Sequence, residues 1–296
     1  MNQPDNKISF KPKQALAPTA ELYDALVGDG MVNLAHASIA EIPSVTPGAI
    51  IHDNGCGTGS GTAALFASLP PTLWPQITLL ATDIHAPALT LFTSKAREHN
   101  WPIPDSNIRL LDSNDLSGIP DNHFTLSLNN ALFFALPQDG VPAMREAFRT
   151  LRPGGTLVAN SWAHLPNMEA LHAAHVATRP VGTPAPREGL DKWNDAAFMR
   201  ARLEEAGFER EKIHIVRRDV DIETVEVHRF AEMLWSFIGG TGKSGWSEED
   251  ERVWDDAVGV IKGVLGKSEG YEEVEGEDGE RRLKLRFVAN VAVASK

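Results

Sequence analysis

Short runs of strand length, rich in aliphatic residues, recur along the first half of this chain and alternate with longer stretches of helical character. Runs near 49–53, 77–82, 107–111, 124–129 and 156–161 predict strands, and segments near 59–69, 86–99 and 140–151 predict helices. Alternation of this kind builds a parallel sheet with helices on both faces. Further along, residues 194–205 predict a helix stopped by Gly207, a strand follows near 213–220, and a last strand over 282–295 is expected to close the sheet. Pro180, Gly182, Pro184, Pro186 and Gly189 mark a loop over 180–192, and residues 228–266 form an apolar, tryptophan-bearing helical insertion between the last two strands. These pieces and the first 40 residues are extra to the sheet and are expected to form a lid.

The chemistry concentrates where the first strand ends. Ala49, Ile50 and Ile51 run directly into Asp53-Asn54-Gly55-Cys56-Gly57-Thr58-Gly59, an acid followed by alternating glycines. A sharp strand-to-helix turn without Cβ atoms lets a ligand approach the backbone, and such turns bind nucleotides in open α/β sheets. The dinucleotide pattern GxGxxG fails in both frames, because Ser60 or Thr62 stands in the third glycine's place. A second acid, Asp83, ends the apolar run 77–82, where a carboxylate is suited to both hydroxyls of a ribose.

The acid, the GxGxG turn and the second acid resemble the class I S-adenosylmethionine-dependent methyltransferases. Three more segments fit that family: Leu110-Leu111-Asp112-Ser113 after the third strand, Phe124 to Asn130 as the fourth strand and its loop, and Leu151-Arg152-Pro153-Gly154-Gly155-Thr156-Leu157-Val158 as a helix-turn-strand signature. Together they cover roughly residues 49–161. Within the family the chain is similar to small-molecule methyltransferases of fungal secondary metabolism, including dithiol S-methyltransferases acting on gliotoxin-like compounds. That likeness rests on Asp53 to Gly57, on Gly118-Ile119-Pro120-Asp121, and on Ser161-Trp162 followed by a helix with Met168. The resemblance implies a Rossmann-like, seven-stranded, mostly parallel sheet whose sixth and seventh strands form a hairpin at the edge. It also implies S-adenosylmethionine as cofactor and S-adenosylhomocysteine as product. An N-terminal helical cap over 1–45 would precede a domain over 46–296 that carries the insertion at about 228–266.

Composition narrows the partner. A net charge of −12 leaves little for a basic face, which argues against nucleic acid and for a small-molecule substrate. The acidic excess is uneven: residues 271–280 alone hold six carboxylates and are expected to form a solvated hairpin loop. A single cysteine, Cys56, excludes a disulfide framework and a multi-cysteine zinc site, so no metal is expected. No run of 18 apolar residues occurs, and residues 1–7 have neither a basic nor an apolar leader region, so a cytoplasmic location away from membranes is expected.

Roles follow residue by residue. Gly55, Gly57 and Gly59 would let the backbone pass close under the methionine and ribose parts of the cofactor. Asp53 would anchor either the turn or the cofactor's ammonium group, Asp83 with Ile84 beside it the ribose, Asp112 and Ser113 the adenine edge, and Asn129 the loop end of the fourth strand. Methyl transfer from a sulfonium needs alignment and a dry pocket more than a base. His164, just beyond the fifth strand, is the candidate base, with an ordinary packing histidine as the alternative. His172 and His175 share a helix face without carboxylate or cysteine company, and His52 reads as structural.

Tyr23, Phe133 and Trp162 are the candidate substrate contacts, with core packing as the alternative for each; Phe134, Trp193, Trp235 and Phe237 are further aromatic candidates. Gly239 to Ser244 imitates a phosphate-binding loop but has Phe237 where the pattern needs glycine and no strand before it. Two other activities share the expected fold: a cyclase or pericyclase that retains the cofactor without methylating, and a catalytically silent methyltransferase-like regulator. Asn129-Asn130 departs from the aromatic and proline motif of amino-methylating DNA enzymes.

Overall fold

The computed structural model describes residues 10–187, 189–240, 245–276 and 278–296. Glu277 of the acidic run, residues 241–244 of the phosphate-loop-like segment and residues 1–7 lie outside them. In chain order the principal elements are α1 (Ala20–Val27), α2 (Gly30–Ile39), β1 (Ile50–Asn54), α3 (Ser60–Ser68), β2 (Thr78–Asp83), α4 (Ala86–Glu98), β3 (Ile108–Leu110) and β4 (Phe124–Asn129). There follow α5 (Val141–Thr150), β5 (Leu151–His164), α6 (Pro166–Thr178), α7 (Ala196–Ala206), β6 (Ile213–Val225), α8 (Val227–Leu234), α9 (Glu248–Arg252), α10 (Trp254–Leu265), β7 (Glu272–Glu275) and β8 (Arg281–Ser295).

The sheet runs β3-β2-β1-β4-β5-β8-β6, with β7 paired to β8 off this path. The pairs from β3 through β5 are parallel, and β8 lies antiparallel on β5. This is the expected mostly parallel, doubly covered sheet, with one difference. Eight strands form where seven are expected, because Glu272–Glu275 pairs with Arg281 to Lys284, which sets Lys284 opposite Glu272 and Arg281 opposite Glu275, while Arg282 bonds Asp278 and Glu223 outside this pairing. The last two long strands, β6 and β8, lie side by side at the edge, as expected. β8 inserts between β5 and β6, with Ser295 opposite Thr156, and leaves β6 outermost.

β1, β2 and β4 are buried along nearly their whole length because both their faces are covered. β5 is longer than its apolar run. Leu151 pairs Phe124 before the ladder skips to Thr156 opposite Leu126, and the intervening Pro-Gly-Gly bends outward at Gly154, φ +77°. The amide of Gly154 donates to the Lys296 carbonyl and that of Lys296 to Gly155, which ties this excursion down.

The chain divides into two compact units: one comprises the segment up to Asp29, Leu165–Leu190 and Asp221–Phe287, the other Gly30–His164, Asp191–Val220 and Val288–Lys296. The first unit gathers α1, α6 and α8 to α10, which include most of the segments expected to form a lid. Its centre is a buried ion pair, Arg179 Nε donating to Asp250 Oδ1 at 2.7 Å, with the guanidinium 4.8 Å from the Trp235 ring and 5.3 Å from Trp246. In the same unit His172 and His175 each bond a loop carbonyl, of Pro186 and Thr183, so this pair fastens a loop to α6. The second unit contains the sheet's parallel half and a continuous core in which Phe124, Phe133, Met144, Leu157, Trp193, Met199 and Leu203 are buried together. Among the described residues no helix is long and apolar enough to cross a membrane.

Candidate active site at the carboxyl ends of the parallel strands

β1 ends at Asn54, and the chain turns into α3 through Gly55, Gly57 and Gly59 at φ +68°, +53° and +99°. The three glycines have different neighbours. A Cβ at Gly55 would strike Leu132 Cδ1 at 2.5 Å and one at Gly59 would press on Phe92 at 3.1 Å, but at Gly57 nothing lies within 4 Å. Gly57 therefore faces open space in a conformation that disfavours side chains, which is what close approach of a ligand to the backbone requires.

The turn is fastened to β2. The Cys56 amide donates to the Thr82 carbonyl at 2.9 Å, and the Gly57 amide donates to Asp83 Oδ2 at 2.8 Å. The other oxygen, Oδ1, accepts from His85 N at 2.8 Å. Two main-chain donors thus fix the carboxylate, and each oxygen still has a lone pair for a ligand hydroxyl. Ile84 beside it is 57% exposed, and Leu110, opposite Asp83 in the ladder, is 59% exposed. Large aliphatic side chains left in water at the tips of β2 and β3 offer a flat apolar ligand a surface. At the end of β3, Asp112 Oδ1 accepts from both Asn114 N and Asn114 Nδ2, and Ser113 is buried next to it.

Asp53 is held by its partner in the first turn of α3. Its carboxyl is buried, takes the Thr62 hydroxyl at 2.6 Å and bonds the Thr62 backbone, so it caps the first turn of α3, which has no side-chain bond from its own cap residue. Burial, opposed by the bonds from Thr62 and reinforced by Asp83, pushes its pKa up to about 6. His52 packs flat on Phe124 at 4.6 Å with Nε2 2.9 Å from Thr82 Oγ1, and burial lowers its pKa to about 3, which keeps the ring neutral. Burial also drives the Cys56 thiol far up, so no thiolate nucleophile forms in the turn.

Asn129 is buried, and its amide nitrogen donates to Ser127 O, Ser127 Oγ and Val158 O while Oδ1 accepts from Asn54 Nδ2 at 3.0 Å. This side chain is engaged entirely with the strands around it. Asn54 Oδ1 is left as a buried acceptor without a partner at the head of the glycine turn. Phe133 is fully buried in the core, and Trp193 belongs to the same cluster. Phe134 packs beside it on Trp193. Trp162 is almost buried near the end of β5, and His164, half-buried, follows a bulge at Ala163. In the first unit Tyr23 is 40% exposed and its ring lies 5.7 Å from Phe237, while Trp235 is fully buried.

The set fits the expected cofactor. Fixed acceptors with spare lone pairs suit a diol, an orphaned amide oxygen suits an ammonium group, and the space over Gly57 admits what passes between them. The sequence reading missed Leu110, Leu132 and the amides of Asn54, Asn130 and Asn160. An asparagine inside an apolar strand was the available signal.

Residues 52–159 match the family described as methyltransferase domain. Methyltransferase ktnA of Aspergillus niger is 25% identical over 238 residues, which cover 73% of this chain and 76% of that protein. Methyltransferase tpcH of Aspergillus fumigatus is 27% identical over 195 residues, 64% of this chain and 67% of that one. The fold is similar to that of phosphoethanolamine N-methyltransferase 2 of Haemonchus contortus, crystallised with phosphomonomethylethanolamine and S-adenosylhomocysteine, with a TM-score of 0.50, 14% identity, and coverage of 93% of this chain and 57% of that one.

Proposed function

We propose that this chain, which belongs to the class I S-adenosylmethionine-dependent methyltransferases, methylates a sulfur, nitrogen or oxygen atom of a small, partly apolar metabolite of secondary metabolism. The observation that carries the cofactor's placement is the Gly57 turn, open to a ligand and bonded through its amide to the Asp83 carboxylate. Asp83 receives the ribose hydroxyls, Ile84 lies against the purine, and Asp112 with Ser113 meets its edge. Asp53 holds the turn by capping α3, and Asn129 acts on the site by holding Asn54.

When bound, the cofactor supplies an electrophilic methyl group whose sulfur departs as a neutral thioether. The protein's task is then to align the acceptor and exclude water. Trp162 presents an apolar surface to the acceptor, and Phe133 supports it from the core. A thiol supplies its own thiolate fraction, whereas a phenol or protonated amine requires a proton acceptor, and His164 at the end of β5 takes that role.

The test is a screen of thiols, phenols and amines with S-adenosylmethionine, read as S-adenosylhomocysteine formed. Turnover with one class is expected. With a phenol or amine, His164→Gln should lower the rate about a hundredfold near neutral pH, and with an acidic thiol by less than about threefold. Cofactor binding without methylation of any acceptor would contradict the reading and favour the non-methylating activities.

A further inference from the structure

Asn129-Asn130, the dipeptide at which the chain departs from the DNA-methylating pattern, heads a loop held by an unusual set of amides. Asn160, buried in β5, has both amide hydrogens and its carbonyl oxygen engaged. Its Nδ2 donates to Ser38 Oγ of α2 at 2.9 Å and to Asn130 Oδ1 at 2.8 Å, and its Oδ1 accepts from the Ala131 amide at 2.7 Å. Asn130 Nδ2 in turn donates to the Met31 carbonyl of α2 at 3.0 Å. Ala131 sits at φ +53°, a left-handed conformation that a residue with a Cβ enters when its surroundings hold it there. The next residue, Leu132, lies against Gly55, with its Cδ1 2.5 Å from where a Cβ would stand.

These contacts form a path from α2 and β5, through the strained loop, to the first glycine of the turn. Its position in the sheet gives the path a purpose. In the order β3-β2-β1-β4-β5 the connections reverse direction between β1 and β4, and ligands of open parallel sheets bind at that crevice. The nucleoside-facing groups, Asp83, Ile84 and Asp112, stand on the β2 and β3 side. The loop 130–132 forms the opposite wall.

We propose that Asn160 and Asn130 are a positioning pair that sets this wall against the amino-acid end of the cofactor and does not act on the nucleoside end. The proposal rests on the reading that S-adenosylmethionine occupies the crevice. The pair touches no reacting atom; it fixes Ala131 and thereby the seat of Leu132 on Gly55.

Two ligands separate the ends. S-adenosylhomocysteine carries both, and 5′-methylthioadenosine carries the nucleoside and sulfur without the amino acid. By calorimetric titration, Asn160→Ala and Asn130→Ala should each weaken S-adenosylhomocysteine about tenfold while 5′-methylthioadenosine stays within about twofold. The double variant should lose no more than either single one, because the two residues act through one loop. Asn130→Ala leaves β5 intact and gives the comparison independently should Asn160→Ala fold poorly. Equal weakening of both ligands, additive losses, or unchanged affinity for S-adenosylhomocysteine would overturn the proposal. A wild-type protein that binds neither ligand would overturn the cofactor reading beneath it.

Discussion

Asp53 and His52 are neighbours on β1 whose titrations oppose each other. Asp53 rises from an ordinary 3.8 to about 6, so the native state keeps a proton the unfolded chain releases, and its stabilising effect is full below about pH 4 and lost as pH rises through 6. His52 falls from 6.5 to about 3, so its effect is full above 6.5 and lost as pH falls toward 3. Between about pH 4 and 6 the two slopes cancel. Asp53→Asn should uncover the histidine: urea unfolding of the variant should gain stability relative to wild type by about 1.4 kcal/mol per pH unit across that window. Parallel profiles for the two proteins would refute the assignment of the buried proton to Asp53.

Among the elements, the glycine turn divides conformational need from ligand need. Gly57→Ala places a Cβ in free space at a positive φ, so it should cost only about 1–2 kcal/mol of stability. Its effect on S-adenosylhomocysteine should be larger, at least about tenfold in affinity, because the methyl group stands where the ligand passes. Calorimetry beside thermal unfolding checks both, and a stability loss with unchanged affinity would remove Gly57 from the ligand's path. The parallel strands were legible from short apolar clusters of strand length, as at Ile50-Ile51 and in the alternation of Phe124, Leu126 and Leu128, although burial on both faces also takes in polar residues such as His52 and Ser127. The start of β5 was not, since Pro153-Gly154-Gly155 has the composition of a turn and enters the strand through contacts with Lys296, far away in sequence. β7 was hidden for a similar reason: its exposed glutamates read as a loop, and they enter a ladder through Lys284 and Arg281, which lie opposite Glu272 and Glu275. The amides of Asn130 and Asn160 escaped notice because their partners, Ser38 and Met31, come from α2 about a hundred residues earlier.

For the whole molecule, the pattern revealed the sheet and its glycine turn but not the division into two units. The first unit is assembled from three separate stretches, and nothing local to any of them announces the others. Its buried Arg179–Asp250 pair joins residues 71 apart. Losing one partner of such a pair would leave a charge uncompensated inside the protein, so that unit depends on both. The acids at the strand ends were legible because carboxylates that interrupt apolar strands have few structural uses, and Asp53 shows one of them. The account depends most on the other, Asp83. Titration of S-adenosylhomocysteine into wild type and Asp83→Ala tests it most directly. Wild type should bind, and the variant should lose roughly a hundredfold in affinity with the removal of two charge-assisted bonds to the ribose. Equal affinity in a folded variant would contradict the placement of the cofactor's sugar on that carboxylate.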